Sequence, residues 1–574
     1  MARTVAEHLV DTLAQAGIRQ LYGVVGDSLN PVTDALRRSS LKWVDMRHEE
    51  SGAFAAGAEA QLTGQLAVRA GSCGPGHLHL INGLFDAHRS GAPVLAIAAH
   101  IPSCEIGTGY FQETHPERNF QECSHYCELI TSPKQAPRVV QIAMQRALSQ
   151  GGVSVIVLPG DVAGMDAVDG ATPAVARTHP LIQPAPDELQ RLADLINTSK
   201  RVTIFGGSGC AAAHDELLAL AARIEAPIAY AFRGKPFIEY DNPYAIGMTG
   251  LLGWGSAYET MHDSDLLLLL GTDFPYEAFM PTNCAIAQVD LRAERLGRRA
   301  MLDLGLCGDI KATIAALLPL LEQKTDAAHL EGAQRAYNHA IQKLQVYVTH
   351  GEAQTPIRPE FVAATINELA AEDAIFTLDT GTPNIWGARY LQASRERRIL
   401  GSYNHGSMAN AMPQAIGAAL AYPGRQVVAL AGDGGFVMLL GDLMTIMQYR
   451  LPVKIVVFNN SQLDFVALEM QQAGLVPFQT DLWNPNFAKL AESIGAYGVR
   501  IEDPKALRAG LSEALAAPGP AVVDVVVDQN ALSLPPHISL GMAEGFALSM
   551  AKQVLQGRGE HVVETITHNL RLRP

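Results

Sequence analysis

The chain has 574 residues, 48% of them hydrophobic and 18% charged, with 51 glycines and a formal charge of −15. That length exceeds one ordinary core and implies about three domains of roughly 100 to 200 residues each, and the apolar content excludes disorder. The acidic balance excludes a nucleic-acid partner, since phosphate backbones need clustered Lys and Arg and no such stripe occurs, whereas small anionic substrates remain compatible with it.

The N-terminus, MARTVAEHLV, is amphipathic and carries an acid where a secretory apolar core would sit, so no signal peptide is expected. No run of 18 apolar residues occurs, so the protein is not expected to span a membrane but can lie on one. Short apolar runs ending in Gly, Asp or His come next: RQLYGVVG at 19–26, LKWVDMRH at 41–48, LAVRAGS at 66–72, PVLAIAAH at 93–100 and VSVIVLPGD at 153–161. They read as parallel strands, with a helix over 49–62 among the stretches between them. Ligands are therefore expected at the strands' C-terminal ends. Seven irregularly spaced cysteines indicate reduced thiols and a cytoplasmic protein. Among them Cys123 and Cys127, with His125 between, are read as a buried helical thiol pair rather than a metal site.

Pro173, Pro180, Pro184 and Pro186 mark a linker. A second α/β unit over 187–320 has strands at RVTIFGG, API, SDLLLLLG and AIAQVDL, and the charged segment 322–351 reads as a helical connection. The third unit, 359–528, repeats the pattern with AIFTLDTG, QVVALAGDG, VKIVVFNN and AVVDVVV. Beyond it SLPPHISLGMAEGF breaks the sheet pattern, and the last helix places Val562, Val563, Ile566 and Leu570 on one face.

Two strand ends in the third unit carry the chemistry. Gly432-Asp433-Gly434-Gly435 directly follows one strand and Asn459-Asn460 directly follows the next. A diphosphate needs a divalent cation, and Mg²⁺ takes oxygen ligands in octahedral geometry. Asp433, Asn460 and the backbone carbonyl of Gln462 can supply the protein's share. The glycines admit a phosphate close to the backbone, and a helix starting near Phe436 would aim amides at it.

GDGGF with the later VVFNN resembles the thiamine-diphosphate-binding signature, and the resemblance to that enzyme family covers nearly the whole chain. It implies three doubly wound parallel-sheet α/β domains: a pyrimidine-binding domain at 1–182, a central FAD-binding domain at 183–334 and a diphosphate- and Mg²⁺-binding domain at 335–530, with a membrane-binding tail at 531–574. RHEESGAF places Glu50 where the family has the carboxyl that touches the aminopyrimidine ring. That contact promotes the ring's imino form, which takes the thiazolium proton. On the residues alone, Glu49 and Glu50 are first-turn acids favoured by the helix dipole. The same resemblance puts Gly406, Ser407 and Met408 against the cofactor, Met408 as a wedge under it, and continues the cofactor-binding segment through Ser461, Gln462, Leu463, Asp464 and Phe465. Phe111 and Gln112 become substrate-side residues, after a Gly74-Pro75-Gly76 loop.

Two central segments resemble FAD-binding loops, through Leu251, Leu252, Gly253 and Trp254 and through Phe274, Pro275, Tyr276, Glu277 and Ala278. Arg292 stands where relatives approach the adenosine with a smaller residue. Long stretches such as AGSCGPGHLHLINGLFDAHRS and GYFQETHP are most similar to the bacterial quinone-dependent pyruvate oxidases of the family. That branch implies oxidative decarboxylation of pyruvate to acetate, with electrons passing through FAD to ubiquinone. Phe465 would enter the active site on activation, and Asp464 replaces a small residue before it. The tail, with Arg571 and Arg573, would bind membrane lipid at the inner face of the cell membrane. The assembly expected is a homo-oligomer, at least a dimer and in the resembled branch a tetramer. An acetolactate synthase and a phosphate-dependent pyruvate oxidase are the alternatives.

Overall fold

A computed structural model describes residues 3–168, 175–176, 178, 180–532, 540–557 and 559–570; Pro173, Arg571 and Arg573 lie outside them. Eighteen strands form three six-stranded parallel sheets in succession. The first contains β1 (Gln20–Gly23), β2 (Lys42–Asp45), β3 (Ala67–Gly71), β4 (Val94–His100), β5 (Tyr126–Leu129) and β6 (Val153–Pro159). The second contains β7 (Val202–Gly206), β8 (Ile228–Tyr230), β9 (Ala245–Met248), β10 (Leu266–Leu270), β11 (Ala285–Asp290) and β12 (Leu304–Cys307). The third contains β13 (Ile375–Leu378), β14 (Arg398–Gly401), β15 (Val427–Gly432), β16 (Val453–Asn459), β17 (Tyr497–Ile501) and β18 (Ala521–Val526). Both faces of each sheet are covered, which is why the central strands are unbroken apolar runs; every residue of β10, LLLLL, is buried.

The orders are β2-β1-β3-β4-β6-β5, β12-β11-β10-β7-β8-β9 and β14-β13-β15-β16-β18-β17. The first and third thus share one topology, with a switch point between β1 and β3 and between β13 and β15. Read from its other edge, the second has the order 3-2-1-4-5-6 within its own six strands, the doubly wound order of dinucleotide-binding folds, with its switch between β7 and β10. Such switch points open a crevice at the strands' C-terminal ends.

Eight helices shape the crevices and the tail: α1 (Glu49–Thr63), α2 (Ala328–Thr349), α3 (Thr382–Tyr390), α4 (Ala411–Ala421), α5 (Asp433–Met438), α6 (Asp464–Gln472), α7 (Leu540–Leu555) and α8 (Gly559–Leu570). Helix α1 is capped by His48, whose Nδ1 accepts from the Glu50 amide at 3.2 Å, and is buried over most of its circumference by the first sheet and α4. A Cβ on Gly417 of α4 would lie 2.1 Å from the Ala55 carbonyl oxygen, so the two backbones touch. One apolar core therefore runs from the first domain into the third.

Several expectations need correction. Cys127 lies on β5 and Cys123 in the turn before it, so the thiol pair is not helical. Burial pushes both thiols up to about 12. The helix expected near Phe436 begins at Asp433 itself, and Pro186 opens the helix Pro186–Thr198 rather than extending a linker. The tail folds back as α7 and α8, and the apolar face read from its sequence is divided: Val562 is buried while Val563 and Ile566 face solvent. The side chain of Leu570 lies outside the described residues. Among the described residues no helix is long and apolar enough to cross a membrane.

The α1–α4 contact predicts that Gly417→Ala, which must push two helices apart, lowers stability by about 2 kcal/mol in chemical denaturation. An unchanged denaturation midpoint would contradict the contact.

Candidate active site

Strands β15 and β16 pair in parallel with Gly432 opposite Phe458, so the residues just beyond them emerge side by side. Asp433 starts α5 with its carboxylate buried. Its Oδ1 accepts from the Gly434 amide at 2.8 Å, and its Oδ2 accepts from the Ser461 amide at 2.6 Å and Asn484 Nδ2 at 2.8 Å. These donors fix the carboxylate's orientation, while burial pushes its pKa up, a cost that a bound cation would remove. Asn460 Oδ1 accepts from the Gln462 amide at 3.1 Å, and Ser461 adopts φ 58°, which folds the chain back over the strand end. Asn484 was not visible in the sequence as a site residue, because it arrives from a loop far along the chain.

One cavity opens at the switch between β13 and β15. It is lined by Gly406, Met408, Asp433, Gly434, Gly435, Asn460, Gln462, Leu463, Asp464 and Phe465, with Thr380 to Pro383 on the opposite wall. The first set falls among the residues that the resemblance assigned to the cofactor, the metal and, for Phe465, the active site; the opposite wall was missed. A clustered oxygen set of Asp433, Asn460 and Gln462, with α5 beginning beside it, suits a diphosphate held through a divalent cation. Gly435 is required there by Asp379, whose Oδ2 would lie 1.8 Å from a Cβ at that position. Ser407 is turned aside: its Oγ accepts from Asn82 Nδ2 at 2.9 Å, and its amide donates to Ser402. Ser461 does not line the cavity either.

A second cavity occupies the switch of the central sheet. Gly207 and Ser208 follow β7 in its wall, and Thr272 and Asp273 follow β10. Leu251, Leu252, Phe274, Pro275 and Tyr276 line it as expected for a flavin loop, and Arg233 and Arg295 bring positive charge that the sequence did not disclose. Gly253 instead offers its carbonyl to Arg389 Nη2 at 3.0 Å, Trp254 is buried behind the loop, and Glu277 and Ala278 face solvent outside the lining. Arg292 departs from its expected place: its guanidinium reaches back to the carbonyls of Gln150 and Gly151 in the first domain and does not line the cavity. The two cavities share Thr380, Gly381, Gly406 and Phe465.

The first domain presents a third element. The structure separates the two glutamates read at the start of α1. Glu50 Oε1 accepts from Asn82 Nδ2 at 2.6 Å, and Asn82 also meets Ser407 and His405, so Glu50 is engaged at the contact between the first and third domains. Glu49 is buried against the Gly74-Pro75-Gly76 loop at the C-terminal end of β3; its Oε1 lies 3.3 Å from where a Cβ on Gly76 would sit, and its Oε2 is 3.1 Å from His79 Nδ1. The same loop packs against Gln112, which holds φ 62° and accepts from Cys73 Sγ at 3.1 Å. Glu49 thus meets the Gly74-Pro75-Gly76 loop, while Glu50 meets Asn82 beside the third domain. Phe111 is 78% exposed, and no residue of the first domain lines either cavity.

Asp464 opens α6 in the wall of the first cavity, and burial pushes its carboxyl up to about 8, with Asp433 and Asp528 adding to the shift. Behind it, α7 is tied to the end of α6: Ser549 Oγ donates to the Leu475 carbonyl at 2.5 Å and Lys552 Nζ to that of Gly474 at 2.8 Å. On α8, His568 Nδ1 lies 3.0 Å from Asp528, which also pairs with buried Arg358.

This fold and site are those of an enzyme that binds a diphosphate cofactor between doubly wound domains. Family models agree: the N-terminal thiamine pyrophosphate-binding domain matches residues 3–120, the central domain of these enzymes 189–317 and the C-terminal binding domain 379–525. The chain belongs to the thiamine pyrophosphate enzyme family. It is 34% identical to a putative thiamine pyrophosphate-containing protein of Bacillus subtilis over 97% of both chains. It is 30% identical to a pyruvate oxidase of Lactiplantibacillus plantarum over 90% of this chain and 88% of that one. To a probable acetolactate synthase large subunit of Methanocaldococcus jannaschii it is 29% identical, over 91% and 92%. Thiamine diphosphate is thus its cofactor, and decarboxylation the chemistry of its family.

Asp433→Ala should abolish Mg²⁺-dependent thiamine diphosphate binding in calorimetry, and retained affinity would exclude Asp433 as a metal ligand. Asp464→Asn should raise the unfolding temperature of the cofactor-free protein more at pH 8 than at pH 5. A carboxyl whose folded pKa exceeds its unfolded value takes up a proton on folding, so stability falls as pH rises between about 4 and about 8. An equal effect at both pH values would contradict the buried environment.

Proposed function

We propose that the protein oxidises pyruvate to acetate and CO₂, with water as the oxygen source and FAD in the central cavity carrying two electrons on to ubiquinone. The observation that carries this reading is the meeting of the two cavities at Thr380, Gly381, Gly406 and Phe465. An electron acceptor in the central cavity would lie directly against the decarboxylation site. The dinucleotide strand order and the two arginines of that cavity suit FAD, with its flavin end at Phe465 and its diphosphate near Gly207, Arg233 and Arg295. Mg²⁺ would be held by Asp433, Asn460 and Gln462. Bound thiamine diphosphate supplies the nucleophilic carbon and stores the electrons left when CO₂ departs. Glu49 would meet the aminopyrimidine ring and hold or release a proton there, Met408 would pack against the cofactor, and Phe465 would stand at the junction of the two cavities.

Both cavities are walled by the second and third domains alone, while Glu49, Gln112 and exposed Phe111 cluster at the first. This supports a homo-oligomer in which the first domain of one copy completes the diphosphate site of another, at least as a dimer and, in full, as a tetramer. The tail's exposed Leu548, Val554, Leu555, Val563 and Ile566 support a peripheral position on the inner face of the cell membrane, where a lipid-soluble quinone is reached. Acetolactate synthesis uses the same site with a second keto acid as acceptor, and phosphate-dependent oxidation uses phosphate.

Purified protein supplied with pyruvate, Mg²⁺, thiamine diphosphate and FAD should reduce a quinone and form acetate, faster with lipid vesicles present. Acetolactate formed without quinone reduction, or an absolute need for phosphate, would reject the reading. Removing the residues after Asp528 should preserve turnover with a soluble artificial acceptor while abolishing the lipid response; a response that survives would reject the tail's role.

A further inference from the structure

Asp86 is 1% exposed, on the helix Ile81–Ser90 of the first domain, and has no part in the chemistry proposed above. Its Oδ1 accepts from Ser402 Oγ at 2.7 Å and its Oδ2 from Gln414 Nε2 at 3.3 Å, two neutral donors of the third domain. A buried carboxylate with neutral partners is costly, and burial pushes its pKa up to about 6. An asparagine would fill the same space without charge, but its amide would set an N–H against one of the two donors. The carboxylate accepts from both. The same helix meets the loop after β14 at three more positions. Asn82 Nδ2 donates to Ser407 Oγ at 2.9 Å, and Asn82 Oδ1 lies 2.7 Å from His405 Nε2. The rings of Phe85 and His405 stack with centroids 5.5 Å apart, and the Arg89 carbonyl accepts from Asn404 Nδ2 at 3.0 Å. Positions 82, 85, 86 and 89 follow helical spacing, so one face of the helix grips residues 402–407. Within the loop, Ser402 Oγ passes the contact on by accepting from the Ser407 amide at 2.9 Å. Support from outside is needed here, because Gly406 holds φ 74° and Ala409 φ 68°, the second a left-handed conformation that alanine adopts only at a cost. Ser402, Tyr403, Asn404 and Gly406 wall the central cavity, and Gly406 and Met408 wall the diphosphate cavity.

We propose that Asp86 is a positioning residue for the reaction: acting through the Ser402 hydroxyl, it fixes the 402–408 loop so that the wall shared at Gly406 keeps its place between the flavin cavity and the decarboxylation site. The inference rests on the reading that FAD fills the central cavity. Asp86 itself lines neither cavity, so it acts on the cofactors only through the loop. Its bond is made at Ser402, which walls the central cavity alone, whereas Asn82 holds Ser407, next to Met408 of the diphosphate cavity. Loss of Asp86 therefore bears first on the flavin side.

The test uses the full chain loaded with thiamine diphosphate, Mg²⁺ and FAD at pH 8. It reads the visible circular dichroism of the bound, oxidised flavin before substrate is added, and then the rate at which pyruvate bleaches the flavin absorbance in anaerobic stopped flow. Asp86→Asn should change the dichroism and slow bleaching by about tenfold or more, as a small displacement of positioned groups does. Ser402→Ala cuts the same link from the loop side and should give the same change, and the double variant should be no slower than either single one. A lowered unfolding temperature with unchanged dichroism and bleaching would mark a purely structural role and overturn the proposal. Losses that multiply in the double variant would overturn the route through Ser402. Should Asp86→Asn fail to fold, Ser402→Ala decides alone, and unchanged dichroism and bleaching in it overturn the proposal. The two levels separate. If the wild type binds no FAD, the proposed function fails and the inference with it; if it binds FAD that pyruvate does not bleach, the proposed function fails while the dichroism still tests Asp86. If the wild type bleaches and Asp86→Asn follows it within about twofold, the role of Asp86 has failed and the proposed function stands.

Discussion

The parallel pairing of β15 with β16 is the contact on which the rest of the site depends. A register that sets Gly432 against Phe458 delivers Asp433 and Asn460 to one crevice, and a slip by one residue would turn each strand's side chains to the opposite face. Asp433 is then secured by donors from both strand ends and from Asn484, so its carboxylate serves as a structural tie between neighbouring loops. A buried carboxylate held by this many fixed donors is tolerable mainly because a cation is expected to join it.

The same logic of switch points places the other cavity. Each sheet reverses its winding direction once near its first strand, and the crevice left there is filled by whatever the loops after those strands offer. In the third sheet these loops offer oxygen ligands and glycines. In the central sheet they offer Gly207, Thr272 and two arginines drawn in from elsewhere. In the first sheet Glu49 follows β2 and Gln112 follows β4, and neither lines either cavity within one chain. Three parallel-sheet units, in two strand orders, thus differ in what their loops offer, and the cavities of two of them meet at Gly406 and Phe465.

The sequence disclosed the three units and most central strands because buried parallel strands are continuous apolar runs. It did not disclose β5, β9, β12, β14 and β17, and all five are edge strands. Runs such as YCEL, AIGM and RILG are short or interrupted by charge and glycine, as suits a strand with one neighbour. The oxygen-bearing cluster of Asp433, Asn460 and Gln462 was legible because strand end and motif coincide. The different surroundings of Glu49 and Glu50 were not, since adjacent helical residues diverge by about 100° and only geometry shows which one meets the Gly74–Gly76 loop. Arg292 and Arg295 both follow β11, but the turn after it sends the first guanidinium to the neighbouring domain and the second, which the sequence did not single out, to the cavity. Arg233 and Asn484 carry no local signal at all.

Helix α6 shows how far a local departure can reach. Its first residues, Asp464 and Phe465, wall the catalytic cavity, and its far end is held by α7 through Ser549 and Lys552. Nine residues of helix span about 14 Å and move as one body. Asp464 lies under the influence of Asp433 on the cofactor side and of Asp528 on the tail side, and Asp528 is itself engaged by His568 of α8. Asp464 thus stands in the cavity wall at one end of a helix whose other end is met by the C-terminal helix α7.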